Sequence, residues 1–362
     1  AAALAYESWH SGARKALVYD LGGGTFDVSV VNLESDVVEV LASHGNNHLG
    51  GGHFDQKLIT FAIDHLKAQH DIDIRPHAQA MARLQHAAEA AKITLSDEPY
   101  ATLAEEYLFE KDGVPIHLSV EISRDDYEEM IEPYVAETLE AVHVALSGAG
   151  LTVADINEIL LVGGATRTPL VQRRLESELG MQPRAEVDPD LCVAMGAAIQ
   201  AAVIAGGQAP TVLVDVTPYT FGTSALEYFN GDMYPYCYVP LIRKNTPIPV
   251  SKSEGFCTVF DGQRQVDINV YQGEDPDALN NIQIGRFTIE GLRDAPAGNP
   301  LITTFSLDHN GILQVTSREK NTGLVHSITI DNAISRFTGD KLGEARHRID
   351  ALFRDQDGEE GR

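Results

Sequence analysis

Two acidic residues flanking a run of glycines are the residues of this chain best suited to chemistry. Asp20-Leu21-Gly22-Gly23-Gly24-Thr25-Phe26-Asp27 places a carboxylate at either end of a glycine cluster, between two runs of apolar and β-branched residues. Glycine lets the backbone approach an anion closely, and successive N–H groups can cradle a phosphate. A carboxylate on each side can hold a hydrated Mg2+ and polarise an attacking water, which is what phosphoryl transfer asks of a protein. Taken alone, three glycines make an ordinary tight turn as readily as a phosphate site.

Two further clusters weigh on that choice. His48-Leu49-Gly50-Gly51-Gly52 precedes a helical pattern, and Leu161-Val162-Gly163-Gly164-Ala165-Thr166-Arg167 follows a buried-strand pattern and precedes another helix. Helix N-termini favour anions, so three such turns in one segment favour a nucleotide cleft over three unrelated turns. Glu89, Lys92 and Ser96, spaced i, i+3, i+7, share one helix face where they could hydrogen-bond a ribose and base. The spacing by itself describes a solvated face equally well. The thirteen His residues show no HExxH-type spacing, which argues against zinc, and no nucleophilic Ser or Cys motif is visible.

The elements that would position these residues alternate. Residues 16–42 read as strands around the glycines, 55–69 and 76–96 as amphipathic helices, 101–121 as strands and 123–147 as a helix. A short buried strand over 156–162 and helices over 169–179 and 192–205 complete an α/β pattern. Gly206-Gly207-Gln208-Ala209-Pro210 then breaks the chain. Residues 217–333 carry short alternating runs such as Val266-Asp267-Ile268-Asn269-Val270-Tyr271, as in a half-buried antiparallel sandwich. Residues 338–353 have a helical pattern and the polar end beyond them reads as a fraying tail.

Composition excludes several classes. At 362 residues the chain exceeds one ordinary core of about 150 residues. With 43% apolar and 22% charged residues it reads as globular rather than disordered. A formal charge of −26 without a basic cluster argues against nucleic acid as a partner. The apolar stretch 194–207 is too short for a membrane span of about 18 residues or more. Cys192, Cys237 and Cys257 fit neither a disulfide framework nor a CxxC site and read as reduced thiols of a cytoplasmic protein. The opening AAALAY has neither an initiator Met nor a signal-peptide pattern, and the expectation is a chain truncated at its N-terminus.

Together the segments AAALAY, DLGGGTFD, HLGG followed by Phe54-Asp55, EAAKITLS, LVGGATRTPLVQ, and Asp188-Pro189-Asp190 leading to AMGAAIQAA resemble, in order, the seventy-kilodalton heat-shock (DnaK) chaperone family. RKNTPIPVS and VYQGE resemble its HscC-type branch. The resemblance implies an actin-like α/β ATPase domain, of which residues 1–206 would be the C-terminal portion. A linker over 207–216, a β-sandwich peptide-binding domain over 217–335 and the start of a helical lid over 336–362 would follow.

By resemblance, Asp20 and Asp27 are the ATPase carboxylates, Asp20 holding Mg2+ through water, with Thr25 beside them. Gly22, Gly23, Gly24 and Gly51 would meet the phosphates of ATP or ADP. Glu89, Lys92 and Ser96 would hold the adenosine from one side and Gly163, Gly164, Arg167 and Asp190 from the other, Arg167 stacking on the base. Val212, Leu213, Val214 and Asp215 look like the apolar linker, though a plain edge strand would read the same. Phe256, Val259, Val266, Ile268 and Ile302 align with the peptide pocket, whereas periodicity alone would call them core. The implied partners are unfolded polypeptide segments, a J-domain co-chaperone and a nucleotide exchange factor, in a heat-shock or stress response.

The pattern is broken in places. The family's first phosphate loop and catalytic Lys have no counterpart, so these residues alone are expected neither to bind ATP tightly nor to hydrolyse it. Gly52-His53 replaces the acidic pair usual after HLGG, Leu191-Cys192 replaces the Glu-Ala usual after the DPD segment, and the Tyr-rich stretch between Gly222 and Asn245 is longer than usual. A peptide-binding adaptor with a non-cycling nucleotide domain is the competing reading. A sugar kinase of actin-like fold would lack the linker and the β domain.

Overall fold

A computed structural model describes residues 2–7, 13–34, 37–185, 187–207, 212–229, 231–331 and 333. The expected lid over 336–362, the helical pattern over 338–353 and linker residues 208–211 lie outside the described residues. The chain forms two compact units, Ala1–Val214 and Asp215–Arg362.

The first unit contains α1 (Ala2–Glu7), β1 (Arg14–Leu21), β2 (Phe26–Glu34), β3 (Val37–Asn46), α2 (Gly51–His70), α3 (Ala78–Asp97), β4 (Tyr100–Lys111) and β5 (Val114–Ser123). α4 (Arg124–Gly148), β6 (Glu158–Val162), α5 (Pro169–Leu179), α6 (Cys192–Ile204) and β7 (Val212–Val214) complete it. Its sheet runs β6-β1-β2-β3-β7, antiparallel across β1-β2-β3 and parallel at both outer pairs. The alternation of β1 explains why it reads as continuously apolar. Leu17, Tyr19 and Leu21 pack into one core with residues of α2 to α5, while Ala16 and Val18 pack into another with α1 and Cys192. With both faces covered, the residues from Ala16 to Leu21 must be apolar unless they have work to do, and Asp20 is the exception among them. The α2 helix begins earlier than the apolar period suggests: Gly51 and Gly52 form its first turn, where no side-chain packing is needed to hold the backbone.

The second unit contains β8 (Phe221–Phe229), β9 (Asp232–Ile242), β10 (Val250–Cys257), β11 (Gln265–Gln272), β12 (Ile282–Glu290), β13 (Pro300–Leu307), β14 (Leu313–Glu319) and β15 (Val325–Ile330). They make two four-stranded antiparallel sheets, β12-β11-β8-β9 and β10-β13-β14-β15, which share one core built around Phe221, Ile242, Val270, Phe305 and Val315. The strict alternation of β13, with Leu301, Thr303, Phe305 and Leu307 buried and the residues between them half-buried, is the period-two pattern of a strand with one face on a core. Phe305 is fully buried, so Phe305→Ala is expected to lower the unfolding free energy of this unit by about 3–5 kcal/mol. Denaturant titration followed by far-UV circular dichroism reads that loss.

Candidate nucleotide and peptide sites

The three glycine clusters, far apart in sequence, meet at one place. β1 and β2 bring Asp20 and Asp27 directly opposite each other, and the turn between them closes through Gly22 N–H donating to Thr25 O at 3.0 Å. Against this turn lies the start of α2, with Gly51 N–H donating to Gly22 O at 2.9 Å and Gly52 N–H to Gly23 O at 2.7 Å. Only glycine fits between them: a Cβ on Gly50 would lie 2.7 Å from Gly22 O, from Gly23 C and from Gly24 N. The third cluster closes on the same turn from the end of β6. Gly163 has a φ of 84°, and a Cβ there would stand 2.4 Å from Leu21 O. Gly51 therefore buttresses the first turn with its amide, while Gly23, Gly24 and Thr25 are exposed.

The carboxylates differ in environment. Burial, and then the charge of Asp27, push the Asp20 carboxyl up to about 6. Among the described residues no group of three His, Cys, Asp or Glu side chains is placed to hold a metal ion directly. Two facing carboxylates beside an exposed glycine turn do fit hydrated Mg2+, which keeps most of its own waters.

Beside the loops lies a cavity of about 410 Å³ whose lining includes Lys92, Ser96, Gly164, Arg167, Thr168 and Gln172, within the range of small-ligand sites. Four residues expected to contact adenosine thus share one wall. Glu89 is exposed one turn earlier on α3. Arg167 is held by two carboxylates, Asp188 at 2.8 Å and Asp190 at 3.0 Å, and Gly163 N–H donates to Pro189 O at 2.9 Å. The sequence motifs contain Asp188 and Asp55 but assign neither a role; Asp55 Oδ1 lies 2.8 Å from Lys92 Nζ. An acid four residues after Gly51 on one helix was the available signal.

The linker residues Val212, Leu213 and Val214 form β7 and pair in parallel with Val37, Val38 and Glu39 at the sheet edge of the first unit. Asp215 opens the second unit, its carbonyl accepting from Ile248 N–H at 2.9 Å.

The five peptide-site residues are not gathered together. Val266 and Ile268 lie on β11 and pack on the core of the second unit. Phe256 stands opposite Leu301 on the β10–β13 pair, whereas Ile302 stands opposite Gly255. A strand's side chains alternate between faces, so Ile302 points away from the face that Phe256 and Leu301 share. Val259 lies between β10 and β11 and is exposed. The ladder between β8 and β11 is short. Among the described residues they pair only at Phe221–Gln272 and Gly222–Tyr271, and from Thr223 to Phe229 β8 pairs with β9 and leaves a gap in its ladder with β11. Thr223 Oγ1 donates to Asn269 O at 2.7 Å across the start of that gap.

Two compact units, one with converging glycine loops beside a carboxylate pair and one with a sheet that opens at an edge, are the features against which the comparisons stand. The family described as Hsp70 protein matches residues 1–351. Proteins named Chaperone protein DnaK from Thermotoga neapolitana and Thermotoga maritima are each 45% identical over 337 residues, covering 91% of this chain and 55% of theirs. The chain belongs to the Hsp70 family. It spans about half the length of the curated relatives it matches. No helix among the described residues is long and apolar enough to cross a membrane.

The shift on Asp20 has a consequence for stability. A carboxyl whose folded value, about 6, lies above its ordinary value of 3.8 favours folding fully below the lower value, and that contribution is lost as pH rises through the upper one. Asp20→Asn should therefore raise stability at pH 8 by about 1–2 kcal/mol, the full shift being reduced by partial exposure, and should bring no gain at pH 3.5. Thermal unfolding at the two pH values reads the difference.

Proposed function

We propose that this chain binds short, apolar, extended segments of unfolded or partly folded polypeptides in its second unit, under the control of ATP or ADP with Mg2+ in its first. The observation that carries the peptide reading is the divergence of β8 from β11. It leaves β11, the strand of Val266 and Ile268, with an edge that an extended peptide can join by main-chain hydrogen bonds while its side chains enter apolar pockets. Phe256, Val266, Ile268 and Leu301 are the pocket residues this reading favours, with Val259 at the exposed rim. Leu301 replaces Ile302 because it shares a face with Phe256.

The nucleotide reading draws on the convergence of the three glycine clusters at Asp20 and Asp27. Gly22, Gly23, Gly24 and Thr25 would meet the phosphates, with Gly51 supporting the turn. Lys92, Ser96, Gly163, Gly164, Arg167 and Asp190 would hold the nucleoside, with Glu89 nearby. Mg2+ would neutralise phosphate charge beside Asp20. Residues 1–206 would serve as part of a nucleotide-binding domain and 207–216 as the linker, β7 leaving its sheet edge in one nucleotide state. Residues 217–335 would hold the peptide and 336–362 begin a lid. A J-domain protein and a nucleotide exchange factor in the cytoplasm are the partners this cycle would need. A peptide-binding adaptor whose nucleotide unit does not cycle is the second reading, and the exposed Tyr228 of the longer β8–β9 hairpin favours specialised clients.

Fluorescence anisotropy with a labelled apolar heptapeptide tests the reading. Wild type should bind with micromolar affinity, Val266→Phe should weaken binding by at least about tenfold by filling the pocket, and Ile302→Ala should change it less than about twofold. Equal affinity for wild type and Val266→Phe would remove the groove from β11.

A further inference from the structure

Asp55 stands on α2 one turn after Gly51, on the face of the helix whose first amides close on the glycine turn. The residue is 8% exposed, and burial raises its carboxyl against the opposing pull of Lys92. Lys92 comes from α3, with its ammonium 2.8 Å from Asp55 Oδ1 and its side chain 15% exposed. A Cβ on Gly51 would come within 3.3 Å of Lys92 Nζ. The lysine does not reach out into water from its helix. It turns inward, with its charged end against the backbone of the second glycine cluster and its side chain on the wall of the 410 Å³ cavity.

An unrestrained lysine samples many rotamers and keeps its ammonium hydrated. Placing that ammonium at the loops therefore needs a fixed counter-charge, and a buried carboxylate on the same helix as Gly51 supplies one. The pair also alters what a ligand meets. An ammonium has three donors and no acceptor, so one engaged by Asp55 still offers N–H groups while its net charge is cancelled. Two further groups lie within the field of Asp55: Glu89 on α3, whose like charge opposes the Asp55 carboxylate and leaves Lys92 as its counter-charge, and the buried phenol of Tyr127 on α4.

We propose that Asp55 is a positioning residue, holding the Lys92 ammonium against the Gly51 backbone so that a nucleotide meets a pre-placed, charge-neutralised donor between the phosphate loops and the nucleoside cavity. This rests on the nucleotide reading above. It assigns to the first turns of α2 two linked tasks, buttressing the phosphate turn and orienting a residue of the neighbouring helix.

Competitive acetylation of the purified chain, read by mass spectrometry at each lysine, tests the assignment with and without millimolar magnesium ADP. In Asp55→Asn, Lys92 should be modified at least about fivefold faster than in wild type, the loss of one buried ion pair. The rates at Lys252, which is exposed, and at Lys111, which is held by the carbonyls of His70 and Asp71, should stay unchanged. A rise at Lys111 as well would signal unfolding; Asp55→Glu, which keeps the charge, should then restore slow Lys92 modification, and its failure to do so would overturn the proposal. Magnesium ADP should protect Lys92 in wild type, and the ADP concentration giving half protection should rise at least fivefold in Asp55→Asn. Equal Lys92 rates without ligand, or equal protection of both proteins, would overturn the role of Asp55. Absence of protection in wild type would instead overturn the nucleotide reading, and this inference with it, an outcome recognisable because it needs no variant.

Discussion

The first unit depends on a contact between backbones. Where the Gly22–Gly24 turn meets Gly50–Gly52, amides of one loop donate to carbonyls of the other, and there is no room for a Cβ at Gly50. Close approach of this kind fixes position more tightly than side-chain packing, because neither partner has a rotamer to change. The third loop is tied in by Gly163 against Leu21 O. Asp20 and Asp27, the start of α2 and the turn after β6 thereby become one rigid assembly although the chain between them is more than a hundred residues long.

Around that contact the charges are arranged in pairs. Asp20 faces Asp27, Arg167 is held by Asp188 and Asp190, Lys92 is held by Asp55, and Glu128 on α4 is paired with Arg173 on α5. All except the first set opposite charges against each other; the Lys92 and Glu128 pairs cancel, whereas Arg167 meets two carboxylates. The carboxylate pair is the exception, and burial of Asp20, with the charge of Asp27 added to it, raises the Asp20 carboxyl. Strain of this electrostatic kind, kept where ordinary packing would remove it, is characteristic of functional sites. The second unit is distinguished in another way. Its distinctive feature is an interruption, two strands that begin as neighbours and part, which leaves backbone donors and acceptors on a strand edge that a complete sheet would have consumed.

Periodicity and punctuation made much of the fold legible in the sequence. The helices over α2 to α5 and the strands β1, β2, β3 and β6 follow from apolar spacing, because the covered faces of a mixed sheet and the one buried stripe of a helix impose periods that survive in one dimension. The glycine clusters were legible as turns, and their joint meaning came from the resemblance. The face of Ile302 was not legible. A run such as Pro300-Leu301-Ile302 is apolar at both parities, and only pairing with β10 decides which side chain turns inward.

The sequence by itself determined the family, the order of elements and the identity of the glycine and carboxylate residues, since these rest on local backbone preference and on motifs contiguous in the chain. Tertiary structure alone decided that Lys92 turns toward Asp55 rather than into water, that Asp188 joins Asp190 on Arg167, that Leu301 rather than Ile302 shares the face of Phe256, and that β8 leaves β11 after two pairs. Each of these depends on a partner from another element. No local propensity encodes a contact whose two halves are brought together only when separate helices and strands bury their apolar faces against each other.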